Sequence, residues 1–340
     1  MRLFKPSGAV GLELDNGSIR VMELKGTVHK PVPFAAGQIE IPGGAVLEGA
    51  VKDVQLVAEA IKELWAKSGI DQREVVMGIT NKGLLMRLAK LPKIPEDKLF
   101  KALRFQVDEY FPIPLDELIF DYAVVGETTG DNGPQLEILL VAIRKELLHN
   151  SLEALSAASL IPEIIDASPL ALLRTMPRDQ HVLNMILADI SNDLTTLLLV
   201  IEGAPRFARV VPNTLASYTG GPLIPPGDVT EQQVAVTLEE GNRQNGFDEW
   251  FAGISGDIVS TSTYYMAQNQ APPVDKIILS GRGSCVQGLV EYLQEDLGLP
   301  VEVINPLAKL HAPVQAGKIN WEQSGSEFAV ATGLALRGLK

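Results

Sequence analysis

The chain of 340 residues is short of several things, and each shortage narrows what it can do. Cys285 is its single cysteine, so neither an internal disulfide nor a cysteine-rich zinc site can form, and a reducing compartment is expected. Four histidines, His29, His149, His181 and His311, lie too far apart for a local metal motif. Lys and Arg total 29 against 42 Asp and Glu, a net charge of −13, with no dense basic block, so nucleic acid is not an expected partner. No run of about 18 uncharged apolar residues is present to span a bilayer. The start, "MRLFKPSG", lacks the apolar core of a signal peptide, and a soluble, cytoplasmic protein is expected.

What the chain does have is length and apolar residues. Beyond roughly 250 to 300 residues a single core usually divides, so two lobes are expected, and 46% hydrophobic residues suffice for a core in each. From Val10 to Ile41 three strand-like runs, "VGLEL", "IRVMEL" and "FAAGQIEI", are separated by Asn, Gly and Pro and read as an antiparallel meander. Val54, Val57, Ala58, Ile61, Leu64 and Trp65 recur at helical spacing up to Gly69, a C-terminal cap, and "VVMGI" at 75 to 79 reads as a buried strand.

Residues 86 to 143 change character. A helix opening at Pro95 carries Leu99, Phe100, Leu103, Val107, Tyr110 and Phe111 and stops at "PIPLDEL". Strands "IFDYAVVG" and "LEILLVAI" flank a tip at 130 to 133, and "KELLHNSLEALSAASL" follows as a helix. From Leu183 a second meander begins, "NMILADI", "TTLLLVIEG" and "PRFARVVP". Setting Glu13 on Asp189 aligns "GLELDNGSIRVMEL" with "LADISNDLTTLLLV" at an offset of 176, the mark of a duplicated lobe. A Pro/Gly-rich stretch from Thr219 to Asp228 precedes a short helix near 230 to 240. Then comes a longer helix with Phe247, Trp250, Phe251, Ile254, Ile258 and Tyr265 on one side. Strand "KIILSG", helix "VQGLVEYLQEDLG", strand "VEVI" and helix "EFAVATGLALRGL" close an α/β chain.

Two hairpins half a chain apart and a "LSGRGS" turn after a late strand resemble the layout of the actin and sugar-kinase superfamily. The segment "RFQVDEYFPIPLDELIFDY", with "RKELL", "IIDASPLALLR", "DKIILSGRGS", "VINPLAKL" and "FAVATGLALRGL", is similar to the PilM family of type IV pilus assembly. The resemblance runs from about Val10 to Leu339 and is weakest from Asn213 to Gly246. It implies a two-lobed actin-like (ribonuclease H-like) ATPase fold with an inserted FtsA/PilM-type small subdomain. The implied division is residues 1–85 and 144–180 for the first lobe, 86–143 for the insert, and 181–340 for the second lobe, with an accessory subdomain at about 213–246. It also implies a scaffold, peripheral to the inner membrane, that binds the N-terminal cytoplasmic peptide of a single-span PilN-like membrane protein and connects to the pilus motor ATPase, with homo-oligomers possible. The groove would lie between roughly 10–80 and 86–143, as capture of a segment disordered when free. An FtsA-type polymerase or ATPase and a GspL-like component of type II secretion are the alternatives, and no residue is assigned as a catalytic base.

ATP with Mg2+ is the cofactor the superfamily implies. Its hairpins begin Asp, any residue, Gly: the acid orients the metal and its waters, and the glycine lets backbone N–H groups reach phosphate. Here Glu13 and Asp189 hold the acid positions and are the metal candidates, but Asp15 and Ser191 stand where the glycines belong, and Asp193 adds a carboxylate. A carboxylate about 4 Å from one phosphate charge, at an effective dielectric of about 20, is repelled by roughly 4 kcal/mol. That is roughly a thousandfold in affinity, unless the side chain turns away or binds magnesium. Nucleotide donors would be Asn16, Gly17, Ser18 and Arg20 in the first hairpin and Asn192, Thr195 and Thr196 in the second. The third element supplies Gly281, Arg282, Gly283 and Ser284, with Arg282 replacing a second glycine. Plainer readings stand beside these: Asp15, Asn16 and Gly17 form any hairpin turn, and Thr195 and Thr196 suit a strand. Phe100, Tyr110, Phe111, Trp250 and Phe251 are expected in cores, and Cys285 as a packing residue.

Overall fold

In the computed structural model the described residues are 8–130, 133–177, 180, 182–213, 240–269, 272–307 and 324–339. The expected accessory subdomain at about 213–246, with its short helix near 230–240, falls almost wholly outside them, as does the end of "VINPLAKL".

Alternation within the first meander builds the first lobe. Strands β1 (Gly8–Asp15), β2 (Ser18–Thr27) and β3 (Lys30–Glu40) pair antiparallel, and β6 (Glu74–Ile79) and β10 (Ile161–Ala167) add in parallel, giving the order β10-β6-β1-β2-β3. Val10, Leu12, Ile19 and Val21 face one core with α1 (Val54–Ser68) and α3 (Glu146–Ala157). Ala9, Met22, Leu24 and Ala36 face another with the last helix, α7 (Ala329–Gly338). Both faces are covered, so the strands read as nearly continuous apolar runs. Helix α1 is closed at both ends: the Asp53 carboxylate accepts from the Leu56 N–H at 2.9 Å, and Gly69, at φ 69°, donates its N–H to the Trp65 carbonyl. Between β3 and α1, β4 (Val46–Leu47) and β5 (Ala50–Val51) form a small hairpin.

The second lobe repeats the plan. Strands β11 (Met185–Ile190), β12 (Thr195–Ile201), β13 (Ala204–Val211), β14 (Lys276–Ser280) and β15 (Val301–Val303) lie in the order β13-β12-β11-β14-β15. The pairs Glu13–Arg20 and Asp189–Thr196 are opposite one another in their ladders, so the offset of 176 read from sequence is the true register of the duplication. On one face Ile186, Ala188, Leu197 and Leu199 pack with Trp250 and Ile254 of α5 (Glu240–Asn269) and Leu293 of α6 (Leu289–Leu297).

The inserted segment forms a three-stranded sheet, β7 (Leu85–Pro92), β9 (Gly133–Arg144) and β8 (Leu118–Gly130), with β9 central. Its two faces go to different neighbours. Ala89, Leu91, Ile138 and Leu140 pack with Leu99, Leu103 and Val107 of α2 (Glu96–Tyr110), whose preceding residue is Pro95. Met86 and Leu139 enter a core with Met185, Leu187 and Leu198 of the second lobe and Leu172 of α4 (Ser168–Arg174). An Arg206–Glu137 ion pair ties the same two bodies. Phe111 is buried as expected, but Phe100 is 46% exposed and stacks on Phe120 at 5.3 Å, because it sits one residue off the buried stripe of α2.

Helices α4 and α7 pack on one another where the lobes meet. α4 follows the last strand of the first lobe and touches β6 and β10 of that lobe as well as β11 and β12 of the second, whereas α7 follows the last strand of the second and packs on β1, β2 and β6. Gly11 permits the approach of α7 to β1, since a Cβ there would collide with the Ala331 carbonyl, and Gly333 does the same against Ala171.

Candidate functional site at the meeting of the hairpins

The first hairpin turns in two residues, Asn16 and Gly17, with Gly17 at φ 82°, where glycine is unstrained. The turn points Asp15 back at its own loop. Its Oδ1 accepts from the Asn16 backbone N–H at 2.8 Å and its Oδ2 from Arg20 Nη2 at 3.2 Å. Arg20, 1% exposed, also lies 3.3 Å from Glu13 Oε1 and 3.8 Å from Glu327 Oε2. Glu327, just before α7, in turn accepts from Arg282 Nε at 3.0 Å. Two arginines and three carboxylates therefore form one buried chain from the first hairpin to the turn after β14.

The second hairpin carries carboxylates but no cation. Asp189 accepts from Ser280 Oγ at 2.6 Å, and the loop closes through Ser191 N–H to the Leu194 carbonyl at 2.9 Å. Its tip reaches the other hairpin directly. Asn192 Nδ2 donates to the Asn16 carbonyl at 2.6 Å, and Asp193 Oδ2 accepts from Asn16 Nδ2 at 3.0 Å and from the Glu48 N–H at 2.6 Å. The third element, a short turn of 3-10 helix over Arg282–Cys285, starts at Gly281 with φ 78°. Ser284 Oγ donates to the Gly281 carbonyl, and Cys285 Sγ lies 3.3 Å from Ser326 Oγ. Thr195 and Thr196 are buried at the start of β12.

Burial governs the electrostatics. It pushes Glu13 up to about 8, with Arg20 pulling it down and Asp189 and Asp15 adding to the rise. Burial likewise raises Asp189, against the Ser280 bond, and Asp193 to about 6, against the Glu48 bond. For Arg20 burial works downward, but Glu13, Asp15 and Glu327 outweigh it and hold the guanidinium charge more firmly than usual. Arg282 moves down, from burial first and then from Arg20 beside it. Near neutral pH Glu13 largely keeps its proton.

The residues named from sequence do come from three segments that meet here, but their hydrogen bonds go chiefly to one another. Glu13 Oε2 has no hydrogen-bond partner among the described residues, and it and Asp189 are the acids a magnesium ion with its waters would use. No three potential metal-ligating side chains converge among the described residues. Phosphate needs donors, and the Asn16 backbone N–H, Asn16 Nδ2, Asn192 Nδ2 and Arg20 Nη2 are already donating within the protein. Two acids and, as donors without a hydrogen-bond partner among the described residues, only Ser18 Oγ, Arg20 Nε and Thr195 Oγ1 are left over for a magnesium nucleotide, so the residues fit one poorly. Sequence reasoning missed Glu327, Glu48 and Ser280; only the last, beside Gly281 in "LSGRGS", carried a local signal.

A family model described as type IV pilus assembly protein PilM matches residues 11–211 and 249–339. Among solved structures, a PilM-PilN type IV pilus biogenesis complex is similar at 26% identity over 98% of both chains, with a TM-score of 0.81. The ethanolamine utilization protein EutJ from Carboxydothermus hydrogenoformans matches at 14% identity over 98% of this chain and 91% of that one, TM-score 0.53. MreB 5 of Spiroplasma citri bound to AMPPNP matches at 9% identity over 96% and 94%, TM-score 0.50. The last two show the actin-like fold alone. The chain belongs to the PilM family.

Proposed function

We propose that this PilM-family chain is a scaffold of type IV pilus assembly that takes the extended cytoplasmic N-terminal peptide of a single-span, PilN-like inner-membrane protein and links it to the pilus motor ATPase. The similarity to a PilM-PilN complex along 98% of both chains carries this reading. Capture of an extended peptide calls for unpaired strand edges and apolar pockets. Strand β10 is an edge of the first lobe with Ile161 and Ile165 exposed. Strand β8 is an edge of the insert with Ile119 and Val124 exposed, and Phe105 of α2 is 79% exposed. No helix among the described residues is long and apolar enough to cross a membrane, and a cytoplasmic protein would reach the inner membrane through its partner. Self-association through such edges is part of the same proposal. The chemistry asked of the chain is binding, and ATP enters only through the fold it shares with nucleotide-binding relatives.

A synthetic peptide of the partner's cytoplasmic N-terminus is expected to bind the full chain with micromolar affinity in calorimetry. Phe105→Asp, at an exposed position, is expected to weaken binding by roughly tenfold with the melting temperature unchanged. No heat and no binding by the parent protein would overturn the reading.

A further inference from the structure

The hairpin junction makes much use of its own charges. We propose that Asp15 takes the seat of a phosphate and that Arg20, Glu327 and Arg282 form a buried ion-pair chain across the junction, so that the two lobes hold together without a nucleotide. The Asp15 carboxylate is an anion bound as this kind of loop binds one, by a backbone N–H at the hairpin tip and by an arginine. The side chain of Arg282 replaces an open glycine, is 2% exposed, and is drawn onto Glu327. The turn that carries it lies hard against the second hairpin: a Cβ on Gly281 would sit 2.5 Å from the Ile190 carbonyl oxygen, and one on Gly283 would collide with the Ile190 side chain.

The chain of contacts joins the right bodies for such a role. Arg20 belongs to β2 of the first lobe, Arg282 follows β14 of the second, and Glu327 lies in the turn before α7, which packs on the first lobe. Asn16, Asn192 and Asp193 close the same junction at the hairpin tips. A triphosphate would have to displace these bonds and also lie beside Asp15 and Asp193. The resulting loss of affinity, roughly a thousandfold for one carboxylate close to one phosphate charge, takes a micromolar site to the millimolar range. The proposal is independent of peptide capture, which can succeed or fail without it.

The test is MgATP binding to the full chain, by calorimetry and thermal shift, with the purified protein also analysed for co-purifying nucleotide. The parent protein is expected to carry no nucleotide and to show no shift in melting temperature at millimolar MgATP. The Asp15→Gly, Arg282→Gly double variant is expected to gain saturable binding. If that variant does not fold, Asp15→Asn, which keeps the shape and removes one charge, is expected to show weak MgATP-dependent stabilisation. Nucleotide in the purified parent, or saturable submillimolar binding by it, would overturn the proposal. So would a folded variant that still ignores MgATP, because the cause would then lie elsewhere than in Asp15 and Arg282.

Discussion

The two hairpins have the same register and opposite chemistry. At the position opposite its acid the first carries Arg20, and the second carries Thr196; at the glycine position the first carries Asp15, and the second carries Ser191. The first hairpin is therefore bound together by buried arginine–carboxylate pairs and the second by carboxylates that accept from neutral donors. Duplication sets the backbone, and the ladder pairing alone would leave the two equivalent. The difference shows that the same fold position can be held by strong paired charges, which are costly to break, or by groups that contribute little each.

The largest effect should come from breaking the charged side. Arg20→Met keeps the volume and apolar stem but leaves Asp15 without its cation and Glu327 with one partner fewer. Removing one member of a buried ion pair typically costs about 3–5 kcal/mol. A loss of that size is expected in the unfolding free energy from urea denaturation, and a loss under about 1 kcal/mol would mean the carboxylates are solvated or protonated in the folded state.

Acid titration separates the hairpins by pH. Folded Glu13 holds its proton up to about 8 against an ordinary 4.5, and Asp193 up to about 6 against 3.8. In each window the folded state binds more protons than the unfolded one, so stability falls as pH rises. The contribution of Glu13 is fully present below its ordinary value and is lost as pH passes about 8, whereas that of Asp193 is gone by about 6. Stability measured by denaturant across this range should decline in two stages. Glu13→Gln should flatten the stage between about 6 and 8 and lessen the slope below it, where the two windows overlap, and an unchanged upper slope would remove Glu13 as its source.

Much of this was legible in the sequence because it is periodic. The helical spacing of Val57, Ile61 and Leu64 follows from one helix burying one side, and the run "IRVMEL" from a strand buried on both. Strands β7 and β10 escaped notice. β7 interleaves Arg87 and Lys90 with its apolar residues, and β10, at a sheet edge, carries Pro162 and alternates between half-buried and exposed positions. At the site, the acids and the missing glycines could be read from spacing. Their partners could not, since Glu327 reaches Arg20 from the far end of the chain and nothing local distinguishes it from any acid before a helix. A hydrogen bond between two loops, such as Asn16 to Asp193, is written in no periodicity at all.

The smallest expected effect has the opposite sign and lies on the second hairpin. Thr195 is fully buried, and its hydroxyl has no hydrogen-bond partner among the described residues. A buried hydroxyl without a partner loses its hydration and gains nothing in return, at a cost of about 1–3 kcal/mol in protein mutational data. Thr195→Val replaces that hydroxyl with a methyl of similar size on the same β-branched frame, which suits the first position of β12. Stability should stay level or rise by up to about 1 kcal/mol, read as a small increase in the denaturation midpoint, in contrast to the loss at Arg20. A clear fall would show that the hydroxyl is bonded in solution, and would make the second hairpin as dependent on its polar contacts as the first is on its charges.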